Sequence, residues 1–189
     1  NIVVQLNAVN FVTNSTGFAA GIGDAVEKSI DGGLTWQLLT NVTLSTNFTC
    51  MDFPSASIGY FAGASGSMIK TTDAGATWST LTTGIASQIA SVDFIDANTG
   101  FFTAPTGVMR KSTDGGASWN AVTTGLATNL TGVSFPSANT GFITSTAGNM
   151  RKTTNAGTNC SALTTRTANL LNAVTFLDHN TGYAVGATG

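Results

Sequence analysis

Lys111-Ser112-Thr113-Asp114-Gly115-Gly116-Ala117-Ser118-Trp119 recurs in close copies at Lys28 to Trp36 and Lys70 to Trp78, and in a diverged copy at Lys152 to Cys160. The aspartate column reads Asp31, Asp73, Asp114 and then Asn155, in steps of 42, 41 and 41 residues. A fixed period of that length marks a repeat architecture, in which each unit buries its apolar face on the next. Every part of the stretch is suited to building a turn. A Ser or Thr hydroxyl and an Asp carboxylate accept backbone N–H bonds inside a tight hairpin, glycine supplies an unusual dihedral, and tryptophan packs beneath. Ser29, Asp31, Gly33 and Trp36 are therefore expected to be structural, as are Thr71, Asp73, Gly75 and Trp78, and Ser112, Asp114, Gly116 and Trp119. In the fourth copy Asn155, Asn159 and Cys160 replace Asp, Thr/Ser and Trp, which predicts the least rigid hairpin there.

Working outward, a second element precedes each copy: Leu6 to Phe11, Phe48 to Phe53, Ile89 to Phe94, Leu130 to Phe135 and Leu171 to Phe176. Its fourth position is Val or Met and its sixth is Phe, two steps apart and so on one face of a strand. The opposite face carries a small third residue and a polar fifth one (Asn10, Asp52, Asp93, Ser134, Thr175). A turn ending at Gly17, Gly59, Gly100, Gly141 or Gly182 follows, its glycine expected at positive φ. After a short apolar strand comes a second turn, with Gly66, Gly107, Gly148 and Gly189 in register and Asp24 in the matching place. The third strand ends at the Lys column and the hairpin leads into a short fourth.

Four short strands in about 41 residues, with no helical period, predict an all-β fold: a β-propeller of four-stranded blades. Residues 1–189 are read as one propeller with repeats at 6–47, 48–88, 89–129 and 130–170, and a partial fifth at 171–189. The fifth lacks a third-to-fourth-strand hairpin, and Ile2-Val3-Val4 lies too close to Leu6 to supply it. An open blade beside Gly189 is expected, completed by further sequence or by another copy of the chain.

Charged residues make up 8% of the chain, about a third of the roughly 25% usual in soluble domains. With seven Lys and Arg and a net charge of −2, it lacks the electrostatic footprint of a nucleic-acid or anionic-membrane binder. No apolar run approaches the ~18 residues of a membrane helix. The chain begins at Asn1, so either a leader is removed or these residues belong to a longer product. Cys50 and Cys160 fall in unlike columns and are expected to be free thiols. Sequons at Asn14, Asn41, Asn47, Asn129 and Asn159 permit glycosylation, at a frequency close to chance.

The Lys-Ser/Thr-x-Asp-x-Gly-x-Thr/Ser-Trp stretches resemble Asp-box repeats, also called bacterial neuraminidase repeats. With Asn-Thr-Gly-Phe/Tyr ahead of each, the unit is similar to the propellers of photosystem II assembly and stability factors, over essentially the whole chain. The resemblance implies a fold more than a function, because the same box sits in sialidases, glucanases, sorting receptors and assembly factors.

A sialidase would need three converging arginines, whereas Arg110 and Arg151 are one column of adjacent repeats and Arg166 stands elsewhere. Asp52 and Asp93, in matching positions of neighbouring inner strands, are the axial-site candidates, to be weighed against a polar channel lining. Asp96 and Asp178 are expected in solvated turns. The single histidine, His179, has no ligand spacing around it. The column Lys28, Lys70, Lys111, Lys152 is read as long stems on apolar strands with their heads in water. No catalytic residue, cofactor or metal site is expected. The reading is a non-catalytic structural or protein-interaction propeller in an extracytoplasmic assembly, secreted, surface-associated or in an organelle lumen. Its partners are proteins, including further copies of itself through the incomplete blade. The alternatives are an assembly-factor-like chaperone for photosystem II and a glycan-binding or glycan-cleaving propeller.

Overall fold

The computed structural model describes residues 4–23, 25–42 and 44–187. Asp24 and Gly189 of the second-turn column, and Ile2-Val3, lie outside them. The described residues form five antiparallel sheets, each a meander whose spatial order follows chain order. The first holds β1 (Leu6–Phe11), β2 (Gly17–Gly21), β3 (Val26–Ser29) and β4 (Gln37–Leu38). The second holds β5 (Phe48–Asp52), β6 (Gly59–Gly63), β7 (Met68–Thr71) and β8 (Ser79–Leu81). In the third are β9 (Ser91–Phe94), β10 (Gly100–Thr103), β11 (Met109–Ser112) and β12 (Asn120–Val122), and in the fourth β13 (Leu130–Ser134), β14 (Gly141–Ser145), β15 (Met150–Thr153) and β16 (Ser161–Leu163). The fifth has two strands, β17 (Leu171–Phe176) and β18 (Gly182–Gly186). These are the blades of a β-propeller, four complete and one partial.

The chain clusters into two compact units, one ending at Ile89 and one beginning at Ala90, so each contains whole blades. In the first unit β5 lies against β1 and β2. Phe18 of β2 stacks on Phe53 with ring centroids 4.5 Å apart and planes 15° from parallel. The core beneath gathers Phe18, Val26, Phe48, Phe61 and Ile69, with Met51, Phe53 and Trp78 packed against it. The second unit repeats the arrangement twice: β13 lies against β9 and β10, and β17 against β13 and β14. Phe101 stacks on Phe135 at 3.8 Å, and Phe142 on Phe176 at 3.4 Å. Within each unit a Phe from the second strand thus meets the Phe at the sixth position of the next blade's inner element. Such pairs contribute about 0.5–1.5 kcal/mol beyond the area they bury.

The Asn-Thr-Gly turns correct one expectation. Their glycines do not adopt positive φ. Each opens the second strand directly opposite the Phe of the first, as in the pairs Phe11↔Gly17, Phe94↔Gly100 and Phe176↔Gly182. A Cβ on Gly17 would stand 2.8 Å from the Phe11 ring, and Cβ atoms on Gly59, Gly100, Gly141 and Gly182 would overlap theirs outright. The glycine is there for space: the aromatic ring lies flat over its Cα. Positive φ appears instead at Gly66, Gly107 and Gly148 of the second turn.

Candidate functional site

The box hairpin is the most regular polar structure in each blade. In the first, Ser29 Oγ accepts the Gly33 amide at 2.9 Å and donates to Asp31 Oδ1 at 2.8 Å. Asp31 Oδ1 also accepts the Thr35 amide at 2.9 Å, and Oδ2 the Thr35 hydroxyl at 2.5 Å. Thr71, Asp73 and Thr77 repeat this frame in the second blade, and Ser112, Asp114 and Ser118 in the third. Gly33, Gly75 and Gly116 sit at φ +88°, +85° and +90°, where a side chain would be strained. Three hydrogen-bond donors converge on each carboxylate, with the Thr or Ser hydroxyl of the fourth following residue foremost, and hold Asp31, Asp73 and Asp114 at a pKa of about 2. Each carboxylate is spent inside its own turn.

In the fourth blade Asn155 Oδ1 accepts the Thr153 hydroxyl at 3.0 Å and the Asn159 amide at 2.9 Å. The neutral amide preserves the frame that Oδ1 makes elsewhere. The hydroxyl clamp on the second carboxylate oxygen has no counterpart, because Asn159 stands where the other boxes have Thr or Ser.

The lysine column also departs from expectation. Lys28 Nζ donates to the carbonyl of Ala74 at 2.8 Å, and Lys111 Nζ to that of Ala156 at 3.1 Å, each acceptor lying in the box of the next blade. The four ammonium groups stand 5.2–5.5 Å from the ring centroids of Phe18, Tyr60, Phe101 and Phe142. The heads of Lys28 and Lys111 bridge blades rather than lying in water, and positive-φ Ala74 and Ala156 turn their carbonyls outward to receive them.

Asp93 and Asp52 fall in separate units. The Asp93 carboxylate accepts the backbone N–H of Phe135, and in the same column Ser134 Oγ accepts that of Phe176 at 3.0 Å. This fifth-position column is a seam between blades. Asp52 is half-buried on β5, where its charge adds to burial in pushing the Cys50 thiol up to about 12. A second seam column escaped the sequence reading altogether. Asn7 Nδ2 donates to the Phe48 carbonyl at 2.8 Å, Thr49 Oγ1 to Ile89 at 2.6 Å and Thr131 Oγ1 to Leu171 at 2.6 Å. Its only sequence trace is a hydroxyl or amide at the second position of four inner elements in five.

Asp96 and Asp178 each accept two turn amides at 2.7–2.8 Å, which lowers both pKa values. Arg151 donates to the Gly125 carbonyl at 3.0 Å, and exposed His179 meets Asn180 at 3.1 Å. Cys50 and Cys160 are free and half-buried. Among the sequons, the Asn41 amide donates to Gly75 and Ala76, while the Asn47 and Asn129 carbonyl oxygens accept the amides of Gly23 and Thr106. Asn14 and Asn159 are exposed. Among the described residues no three His, Cys, Asp or Glu side chains gather as metal ligands, and no helix is long and apolar enough to cross a membrane.

The family described as photosynthesis system II assembly factor YCF48 matches residues 1–84, the first two blades. The chain is a β-propeller similar to the Asp-box propellers of the photosystem II assembly factors. No curated protein matches the chain. Among solved structures, YCF48 bound to a D1 peptide aligns over 92% of this chain and 57% of its own, with a TM-score of 0.73 at 17% identity. YCF48 from Cyanidioschyzon merolae aligns over 93% and 62%, with a TM-score of 0.71 at 15% identity. The Niastella koreensis GH74 enzyme aligns over 94% and 34%, with a TM-score of 0.76 at 17% identity. At these identities the likeness is one of fold. The Asp-box chain spans between a third and two thirds of the length of these propellers.

Proposed function

We propose that this propeller is a non-catalytic protein-interaction module of an extracytoplasmic assembly. One observation carries the reading: the side chains equipped for chemistry are occupied in holding the fold. Asp31, Asp73 and Asp114 are clamped in their hairpins, Lys28 and Lys111 bridge blades, and Asp93 takes the Phe135 amide. Its low charge and hydroxyl-rich surface suit a protein flanked by neighbours, among them further copies of itself. An organelle lumen is one compartment that fits.

A second reading, an assembly-factor-like chaperone, is favoured by the family match over the first two blades and by a fold neighbour that binds a D1 peptide. The glycan reading has support in the GH74 fold neighbours, and the engagement of Asp93 weighs against it. Titration with a synthetic D1 peptide, followed by calorimetry, separates the first two: saturable binding selects the chaperone. Incubation with β-glucans and sialosides tests the third. Turnover of any of them, abolished in Asp52→Ala or Asp93→Ala, overturns the non-catalytic reading.

A further inference from the structure

Five Asn-x-Ser/Thr units occur in the chain, and the fold treats them unequally. An N-glycosyltransferase engages two side chains of such a unit together, the amide that receives the sugar and the hydroxyl two residues on. At Asn47 and Asn129 both are occupied within the fold. Their amide oxygens accept the N–H groups of Gly23 and Thr106, and the Thr49 and Thr131 hydroxyls donate to the Ile89 and Leu171 carbonyls. At Asn41 the amide nitrogen itself donates to Gly75 and Ala76. Asn14 is exposed, but its turn is pinned: Thr13 Oγ1 accepts the Thr16 amide at 2.9 Å, and the Ser15 carbonyl accepts that of Gly32 at 2.8 Å.

Asn159 differs from all four. It stands in the fourth box where Thr35, Thr77 and Ser118 clamp their aspartates, and Cys160 follows where the other boxes have Trp. The chain runs from there into β16, with Ser161 opposite Lys152, so alternate side chains share a face. Asn159 and Ser161 are both exposed, while half-buried Cys160 between them packs against the cluster of Phe101, Phe135 and Ile143. Among the described residues neither the Asn159 amide group nor the Ser161 hydroxyl has a hydrogen-bond partner; the one bond from Asn159 is made by its backbone N–H, to Asn155. The exposure belongs to the position and not to a missing neighbour, since Thr35, Thr77 and Ser118 are exposed in the first, second and third blades.

We infer that Asn159 is a site of N-linked glycosylation, and the one the folded chain offers first. The donor is a sugar held through its anomeric carbon on a diphosphate, carried by a nucleotide or by a lipid. Asn159 Nδ2 attacks that carbon: the C–N bond forms as the C–O bond to the diphosphate breaks, the diphosphate leaves with the bonding electrons, and one Nδ2 proton passes to solvent. A glycan there stands beside β16, the outermost strand of its blade, whose residues Ser161, Ala162 and Leu163 carry no charge. Exposed strand edges invite pairing unless something covers them. The fourth box thus gives up a clamp and gains a sugar acceptor at the same position. This goes beyond the interaction-module reading and does not depend on it.

The folded 189-residue chain tests this in two arms, one with a soluble N-glycosyltransferase and UDP-glucose, the other with an oligosaccharyltransferase and a lipid-pyrophosphate oligosaccharide. Peptide mass analysis should find the sugar on Asn159 ahead of every other sequon in at least one arm, and the arm that works identifies the carrier. Ser161→Ala, which leaves the box hydrogen bonds alone, should lose the sugar, and Ser161→Thr should keep it. Asn159→Thr should lose it as well while remaining folded by circular dichroism, because that change supplies the hydroxyl the other boxes use. A folded chain left unmodified in both arms, by enzymes that turn over their own acceptor peptides, overturns the inference. So does a sugar that reaches Asn47 or Asn129 before Asn159, and so does modification of Asn159 that survives Ser161→Ala. The peptide and glycan assays decide the functional reading independently of these results.

Discussion

The Phe135 amide donates its hydrogen to the Asp93 carboxylate, tying the inner strand of the fourth blade to that of the third. An acid that in sequence is a candidate for axial chemistry is, in the fold, the acceptor in a seam. Asp93→Ala should therefore act on stability, lowering it by about 1–3 kcal/mol through the orphaned amide. Asp93→Asn, which keeps an acceptor oxygen, should cost less. Urea denaturation checks both, and equal losses for Ala and Asn would show that the hydrogen bond contributes nothing.

Gly141→Ala should destabilise the fourth blade by overpacking, at roughly 1–3 kcal/mol, because its Cβ would enter the Phe135 ring that stacks on Phe101. Shrinking the ring relieves the clash. The penalty should then fall when the same change is made beside Phe135→Leu, and a double-mutant cycle with no coupling would refute the steric account.

Much of this architecture is legible in sequence because a propeller repeats its contacts. The period of about 41 residues, the Val/Met-x-Phe face and the box together determine the strands and turns of the described sheets. The seams are less legible, since a column states which residues are equivalent and leaves open what they face. The Lys28 bridge leaves no trace in the sequence because its acceptor, the Ala74 carbonyl, is a backbone atom 46 residues away, set in place by a positive φ. At Gly141 spacing does not distinguish a need for left-handed backbone from a need for room beside the Phe135 ring. Thr49 and Thr131 went unnoticed because hydroxyls are common throughout this composition, so two more at one register carry little signal.

Acid should unfasten the boxes in a defined window. Asp31, Asp73 and Asp114 hold pKa values of about 2, below the ~3.9 of an unfolded aspartate, so the folded state favours their ionised form. Their stabilisation is complete above about pH 5 and fades as pH falls toward 2. Melting temperature followed from pH 6 to pH 2 should drop over that range, and should drop less in a D31N/D73N/D114N variant. Restoring the fourth box with N155D/N159T should raise the melting temperature near neutrality and steepen the acid loss. A triple variant whose pH profile matches the parent would remove the boxes from the account of acid sensitivity.

The two thiols should differ in reactivity although both are free. Burial, aided by the Asp52 charge and opposed by a Thr49 hydrogen bond, pushes the Cys50 thiol up to about 12. The thiolate is the nucleophile, so at pH 8 very little of Cys50 is in its reactive form. Cys160 is also raised by burial, but the nearby Arg151 charge partly offsets that shift. Iodoacetamide at pH 8, followed by peptide mass analysis, should label Cys160 first and reach Cys50 only as denaturant opens the second blade. Since Cys50 lies on β5 with its sulfur by the carbonyls of Ala62 and Ile89, its labelling rate also reports the opening of that blade. Labelling of Cys50 in the native protein at the rate of a free cysteine would contradict its burial in the inner strand.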